Sequence, residues 1–406
     1  MYITFLPSGR RARVKKGETI LQAAKRTGVP IESACSGTRC CGLCRVHVLP
    51  EKPSKRWDDE PLVAPSDRRE RSALSPEERR DGWHLACMTK PVASIRVEVP
   101  KPKKQRLIPT ATGEKLPVFD CNHAGSEEIP AFVIRKFGAS YWDAYQYAPL
   151  MSAASALIAD SNGDEVCKLP FCVTIEAGAF GAEISYPENG VLPLPGQPMI
   201  QRIEDLDTLG DIDFSQGRIA EVLEAVRLLH AVGRRCVLKV EAPFTVLSML
   251  MDSLVLFRAV RKDRPRVDAA LAKIRKNLVE YIRRAFLAGA DIISYADPSG
   301  VVEFVGPKVF RDVSGRETIR LLRDVQTIRP GGIIHICGKT STSLEYMGLA
   351  TSETYELPEP RATFAHALLS IHDRRKIQVT GHNCILVTAA PIPHQRISFL
   401  SLAEDA

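Results

Sequence analysis

Apolar and polar residues alternate from the first positions. YITFL (2–6) and RARV (11–14) read as short strands joined by a Ser-Gly turn. GETILQAAKRTG (17–28) then switches to a helical spacing, with Ile20, Leu21 and Ala24 on one face and Gly28 just past the end. RVHVL (45–49) alternates again, 50–82 is rich in Pro, Arg, Asp and Glu, and HLACM (84–88) followed by SIRVEV (94–99) restores strand character. This pattern predicts a small mixed α/β domain over 1–100.

The stretch 100–117, PKPKKQRLIPTATGEKLP, has four prolines and five basic residues and no apolar period, so 101–125 reads as a linker. From 126 to 406 apolar strands are expected to alternate with helices. The strand candidates are AFVIRKF (131–137), FCVTIEAGAFGAEI (171–184), CVLKVEAPF (236–244), DIISYADP (291–298), GGIIHICGK (331–339) and KIQVTGHNC (376–384). Between them lie the helices RIAEVLEAVRLLHAVG (218–233), a run from about 267 to 288, and ETIRLLRDVQTI (317–328). Strand and helix in turn, over about 280 residues, predict a parallel (β/α)8 barrel of the TIM type, whose chemistry sits where strands end.

Composition narrows the classes without changing this outline. A 406-residue chain with 45% hydrophobic and 25% charged residues suits a globular protein of several domains, and a net charge of +7 without aromatic-interleaved basic stripes argues against nucleic acid as partner. No segment has the ~18 consecutive apolar residues of a spanning helix, and the N-terminus lacks a signal-peptide pattern, so no membrane partner and a cytoplasmic location are expected. Eleven cysteines in such a chain point to thiolates used as ligands or kept reduced, not to a disulfide framework.

Four of the cysteines fall in ACSGTRCCGLC (34–44). A C-x4-C register from Cys35 to Cys40 lacks its next cysteine, because position 43 is Leu43. Cys35, Cys41 and Cys44 form C-x5-C-x2-C, and Cys87 in HLACM supplies a distant fourth thiolate. Four thiolates with three in a loop of small residues suit a 2Fe-2S cluster. A zinc knuckle, the alternative, normally shows two separated C-x2-C pairs. Cys40 is left without ligand duty.

A second sulfur site is sparser. HICG sets His335 and Cys337 two apart on a strand, hence on one face, and Cys384 follows a later strand. Imidazole and two thiolates suit zinc with an open fourth position, beside which a bound thiol becomes a thiolate at neutral pH. A core histidine with a buried cysteine is the alternative that the residues alone leave open.

CSGTRCCGLCRVHV and HLACMTKPVASIRVEVP resemble the N-terminal ferredoxin domain of the reductive activators of corrinoid proteins, over residues 1–100. The resemblance implies a β-grasp 2Fe-2S module that carries single electrons. VEAPFTVLSMLMD (240–252), FLAGADIISYADPSG (286–300), PGGIIHICGKTSTSLEYM (330–347) and GHNCILVTAAPIPHQ (381–395) resemble the uroporphyrinogen decarboxylase superfamily, and within it the zinc-dependent methylcobamide:coenzyme M methyltransferases. That likeness implies zinc on His335, Cys337 and Cys384. The Arg-rich tetrapyrrole signature of true decarboxylases has no counterpart around PAFVIRKFGASYWDAY (130–145). The interval from Cys337 to Cys384 is shorter than in that family by about one strand-helix unit, so the barrel is expected to lack one. The family's GPFT reads EAPFT here, which brings Glu241 to the pocket as a metal ligand or proton acceptor, or else as a strand-end carboxylate held by amides. Asp297 is likewise a pocket acid or a turn cap, and His382 adjoins the third ligand.

Together the resemblances imply a methyltransferase of anaerobic one-carbon metabolism. A methylcorrinoid, as free cobalamin or on a corrinoid protein, would exchange a methyl group with a zinc-activated small thiol. The cluster, fed by a low-potential electron donor, would keep cobalt reduced. The alternatives are a reductive activator of a corrinoid protein with a non-catalytic docking barrel, or a uroporphyrinogen decarboxylase-like tetrapyrrole enzyme.

Overall fold

The computed structural model describes residues 1–33, 42–51, 61–66, 68–100, 107–109, 115–117, 128–186, 192–328, 330–373, 376–392 and 395–403. Cys35, Cys40 and Cys41 lie outside the described residues.

The first unit runs β1 (Tyr2–Leu6), β2 (Arg11–Arg13), α1 (Ile20–Arg26), β3 (Arg45–Pro50), α2 (Arg68–Ala73), α3 (Pro76–Arg80), β4 (Trp83–Leu85) and β5 (Ile95–Glu98). Its sheet has the order β2-β1-β5-β3-β4, with β1 parallel to β5 and the other pairs antiparallel, which is the expected β-grasp. Thr19 and Gln22 close a capping box at the start of α1, which turns Ile20, Leu21, Ala23 and Ala24 into the core. Cys44 and Cys87 belong to that same core. In the linker, β6 (Leu107–Pro109) and β7 (Lys115–Pro117) pair as a short antiparallel ribbon.

The second unit begins with α4 (Ala131–Phe137), α5 (Tyr141–Gln146), α6 (Ala148–Asn162), β8 (Val166–Leu169), α7 (Ile175–Ala179), β9 (Ile184–Ser185) and β10 (Leu194–Pro195). It continues through α8 (Gly217–Ala231), β11 (Arg235–Glu241), α9 (Pro243–Leu250), α10 (Ser253–Lys262), α11 (Arg264–Ala288), β12 (Ile292–Ala296), α12 (Val302–Val309) and α13 (Gly315–Val325). It ends with β13 (Gly332–Ile336), α14 (Gly338–Tyr346), β14 (Ala350–Glu356), α15 (Phe364–Ser370), β15 (Ile377–Gly381) and β16 (Arg396–Leu402). Strands β8, β11, β12, β13 and β15 are parallel neighbours in that order, and β16 and β14 extend the sheet antiparallel. The strand-helix alternation of a TIM-type unit is present, with five parallel strands rather than eight among the described residues. No helix among them is long and apolar enough to cross a membrane.

Two expected strands are corrected. AFVIRKF is α4, entered from Pro130 and stopped by Gly138 at φ 61°; a seven-residue apolar run does not discriminate helix from strand by period. FCVTIEAGAFGAEI is a loop followed by α7, because the strand ends upstream at Leu169, where Pro170 can give no ladder donor.

The parallel strands are apolar on one face and mixed on the other. Leu169, Cys236, Leu238, Val240, Ile293, Tyr295, Ile334 and Ile336 pack on the helices, in one core with Met151, Val222, Leu278 and Leu322. Val166, Val237, Ile292 and Ile333 lie on the opposite face, against Phe364 and Leu368 of α15 and against Ile385 and Ile397. In a barrel this second face is the inner one.

Helix α11 stops at Gly289, whose φ is +103° and where a Cβ would collide with the His230 side chain. Gly289→Ala is expected to cost more than the ~1–2 kcal/mol of a left-handed non-glycine residue, read as a lower urea midpoint. Adding His230→Ala should recover only part of the steric cost, because the Cβ of residue 230, 2.6 Å from the added one, remains. An unchanged midpoint in the single variant would refute this.

Candidate functional site

Each parallel strand delivers polar side chains to the inner face. Lys239, Ser294, His335 and Thr380 are successive Cα partners across β11, β12, β13 and β15, so they form one row. His335 is fully buried. Its Nε2 lies 3.1 Å from the Asn383 carbonyl and its Nδ1 lies 3.1 Å from the Ser294 hydroxyl. A carbonyl can only accept, so Nε2 carries the proton and Nδ1 accepts from Ser294. Burial pushes the His335 pKa down to about 4, which leaves the ring neutral at pH 7. The Thr380 hydroxyl, buried beside it, has no hydrogen-bond partner among the described residues.

The next residues along the strands belong to the same end. Cys337 follows β13 as the cap of α14, and its amide donates to the Tyr295 carbonyl at 2.9 Å. The Asn383 carbonyl that meets His335 also accepts the Gly338 amide at 3.1 Å, which draws the 382–384 turn onto the Cys337 corner. His382 turns there with φ 69° and pairs with Glu345 at 2.8 Å. Cys337 and Cys384 are both half-buried. The three residues thus share one end of adjacent strands. No group of three or more His, Cys, Asp or Glu side chains among the described residues closes into a metal-holding cluster. The donor chemistry, a neutral imidazole with two thiols, fits zinc.

Acids occupy the neighbouring strand ends. Glu241 ends β11 and is buried, and its amide donates to Oε1 of Glu176 at 3.1 Å. Burial raises the Glu176 pKa to about 7, against hydrogen bonds and the charges of Lys239 and Arg218 that lower it. Asp297, just past β12, accepts from the Thr245 hydroxyl at 2.7 Å, and its amide donates to the Thr340 hydroxyl at 3.0 Å. Burial raises its pKa to about 7 as well. Sequence reasoning singled out Glu241 and Asp297 but passed over Glu176, Lys239, Ser294 and Thr380. For Lys239 and Thr380 the signal was period two, since KVE and QVT put a polar residue at every second position; Ser294 in IIS and Glu176 in helix α7 carry no such signal.

In the first unit Cys44 and Cys87 are buried, and the Cys87 amide donates to the Cys44 sulfur at 3.4 Å. The turn that bears Cys87 is held by buried Glu70, which accepts from the Leu85 amide at 2.9 Å and the Thr89 hydroxyl at 2.9 Å. The other two expected cluster ligands lie outside the described residues.

Asp297 has a consequence for stability. Its folded pKa of about 7 stands above the ~3.9 of an unfolded aspartate, so between those values folding takes up a proton. This contribution is complete at low pH and is lost as pH rises through about 7. Asp297→Asn, which keeps an acceptor for Thr245, is expected to gain stability relative to the natural chain as pH rises from about 4 to about 7. Urea midpoints that run parallel over this range would sink the assignment.

Residues 102–382 match the family model for uroporphyrinogen decarboxylase (URO-D), and residues 3–92 match that for the 2Fe-2S iron-sulfur cluster binding domain. The chain is 25% identical over 301 residues to the methylcobamide:CoM methyltransferase MtaA of Methanosarcina barkeri, covering 72% of this chain and 86% of that one. It is 25% identical over 216 residues to MtbA of Methanosarcina acetivorans, covering 51% and 62%. The N-terminal unit is 31% identical over 86 residues to a component of the Na(+)-translocating NADH-quinone reductase of Chlamydia pneumoniae, covering 21% of this chain and 17% of that one. Among solved structures, a methyltransferase from Methanosarcina mazei aligns with a TM-score of 0.47 and 24% identity, over 59% of this chain and 70% of that one. With one match spanning most of its length and the other ahead of it, the chain belongs to the uroporphyrinogen decarboxylase family and carries an N-terminal 2Fe-2S ferredoxin domain.

Proposed function

We propose that this protein moves a methyl group between a methylcorrinoid, free or on a partner protein, and a small thiol, in an anaerobic cytoplasm. On this reading the barrel unit, 126–406, holds the reaction and the ferredoxin unit, 1–100, keeps the corrinoid cobalt reduced. The reading rests on one combination: a 2Fe-2S module joined to a URO-D unit whose inner strand ends carry His335, Cys337 and Cys384, in a chain similar to methylcobamide:CoM methyltransferases.

His335, Cys337 and Cys384 are the residues that would hold zinc, whose charge lowers the pKa of a thiol bound to it. His335 is already neutral, the form that ligates, and Ser294 fixes the orientation of its ring. Glu176 and Glu241 adjoin this end, and Glu176, with a pKa of about 7, can take up a thiol proton and release it at neutral pH. Asp297 acts through Thr245 and Thr340 and sets the turn behind them. Cys35, Cys41, Cys44 and Cys87 would hold the cluster, which passes one electron at a time at roughly −400 mV for the plant type.

Anaerobically purified protein should contain about two iron and two sulfide, and about one zinc, per chain. It should demethylate methylcobalamin in the presence of a thiol, and His335→Ala should abolish that reaction. Cys44→Ser should bleach the visible absorption, leave a single turnover intact and stop recovery after the cobalt has been oxidised. Cobalt reduction without any thiol methylation, unaffected by zinc removal, would replace this proposal with that of an electron-transfer activator.

A further inference from the structure

Arg218 is a mostly buried cation whose hydrogen-bond partners among the described residues include no carboxylate, although its charge is felt by the buried Glu176. Its Nε donates to the Tyr145 carbonyl at 2.9 Å, Nη1 to the Tyr186 hydroxyl at 3.0 Å and Nη2 to the Cys172 sulfur at 3.2 Å. A guanidinium has five N–H donors, so two remain unassigned among the described residues. Ion pairing satisfies most other arginines of this unit, as with Arg234 on Asp160 and Arg283 on Glu280. Placing a guanidinium in a largely buried position with no carboxylate hydrogen-bonded to it is costly unless an anion joins it.

The space for one is present. Arg218 lines a cavity of about 500 Å³, within the range of small-molecule sites, with Trp142, Ile175, Ala179, Ile184 and Tyr186 among its walls. The cavity also receives the start of α8 at Gly217, Arg218 and Ile219. That helix is fifteen residues long, and its cap residue Gln216 makes no side-chain capping bond, so the first amides offer donors and a positive dipole end. Asp213 is the acid among the described residues that line the cavity. Its carboxylate is already engaged by the Ser215 amide at 2.9 Å, the Ser215 hydroxyl at 2.6 Å and the Gln216 amide group at 2.8 Å. Trp142 is 47% exposed at this opening, and Tyr186 stacks under the Arg218 guanidinium.

We propose that this cavity binds a small carboxylic acid with an aromatic or apolar body, the carboxylate held by Arg218 and the start of α8. Its body lies against Trp142, Ile175 and Ile184. A planar fork matches a carboxylate, and apolar walls around a single cation select an amphipathic acid over a bare inorganic anion. The site is argued from the cavity alone and does not depend on the methyl-transfer reading.

The test uses the full chain and 3-phenylpropionate, with the neutral 3-phenylpropanamide as control. Binding is read by calorimetry and by quenching of tryptophan emission, neither of which requires turnover. The acid should bind and the amide should bind at least tenfold more weakly. Arg218→Gln should lose at least tenfold for the acid and little for the amide, Arg218→Lys should fall between, and Ala179→Phe should weaken both ligands by filling the cavity. Equal affinity for acid and amide, or no binding of the acid, overturns the proposal in the unmodified protein, so misfolding of a variant cannot rescue it. A protein that binds the acid yet shows no methyl transfer leaves this site standing and removes the other proposal.

Discussion

A parallel sheet covered on both faces has nowhere to put an idle polar group, and the candidate site depends on that constraint. Each buried donor or acceptor left unmatched costs about 1–3 kcal/mol, while a matched one contributes only about 1. A row of Lys239, Ser294, His335 and Thr380 across four neighbouring strands is therefore costly as packing. Its placement is fixed by the opposite face. Leu238, Val240, Ile293, Tyr295, Ile334 and Ile336 must meet the helices, and a one-residue slip in any strand would exchange the two sets.

The same burial divides work among the acids. Glu176 and Asp297 are both buried and both have pKa values raised to about 7, yet their surroundings differ. Asp297 is enclosed by its own turn: its carboxylate takes the Thr245 hydroxyl, which in turn accepts the Ser299 amide, and Gly300 leaves no room for a Cβ beside it. This is the bond pattern of a cap, although the residue stands at a strand end. Glu176 instead meets the neighbouring strand end through the Glu241 amide and feels two cations, Lys239 and Arg218. A carboxyl balanced between burial and nearby positive charge is suited to exchanging a proton; one locked into a turn is suited to holding shape.

What was legible in the sequence was what has a period or a fixed spacing. Alternation in YITFL and RVHVL gave the β-grasp strands, whereas the common side expected for His335 and Cys337 assumed a strand that stops at Ile336, with Cys337 already the cap of α14. Short apolar runs without capping signals were not legible. AFVIRKF is a helix, and Pro170 moved the strand before FCVT to VCKL. The antiparallel strands β14 and β16 pair along seven residues, a long-range pairing that local alternation in ATSETYE does not announce. Arg218 was hidden for another reason. As the second residue of an amphipathic helix it reads as a solvated charge, and only the meeting of α8 with Tyr145, Cys172 and Tyr186 removes it from water.

The hydrogen bonds of His335 bear directly on whether it can also ligate a metal. Nδ1 accepts from Ser294 and Nε2 donates to Asn383, so both ring nitrogens are engaged. Each such bond contributes about 0.5–1.5 kcal/mol, and exposing a partner adds about 1–3. Zinc held by structural sites supplies about 10–16 kcal/mol, several times the sum. The Asn383 carbonyl also keeps a second donor, the Gly338 amide, so it is not stranded when His335 gives up its bond. The hydrogen-bonded arrangement of His335 and the proposed ligating one therefore differ by less than a bound zinc would contribute. The 382–384 turn, already in a left-handed conformation at His382, is the segment whose backbone links them.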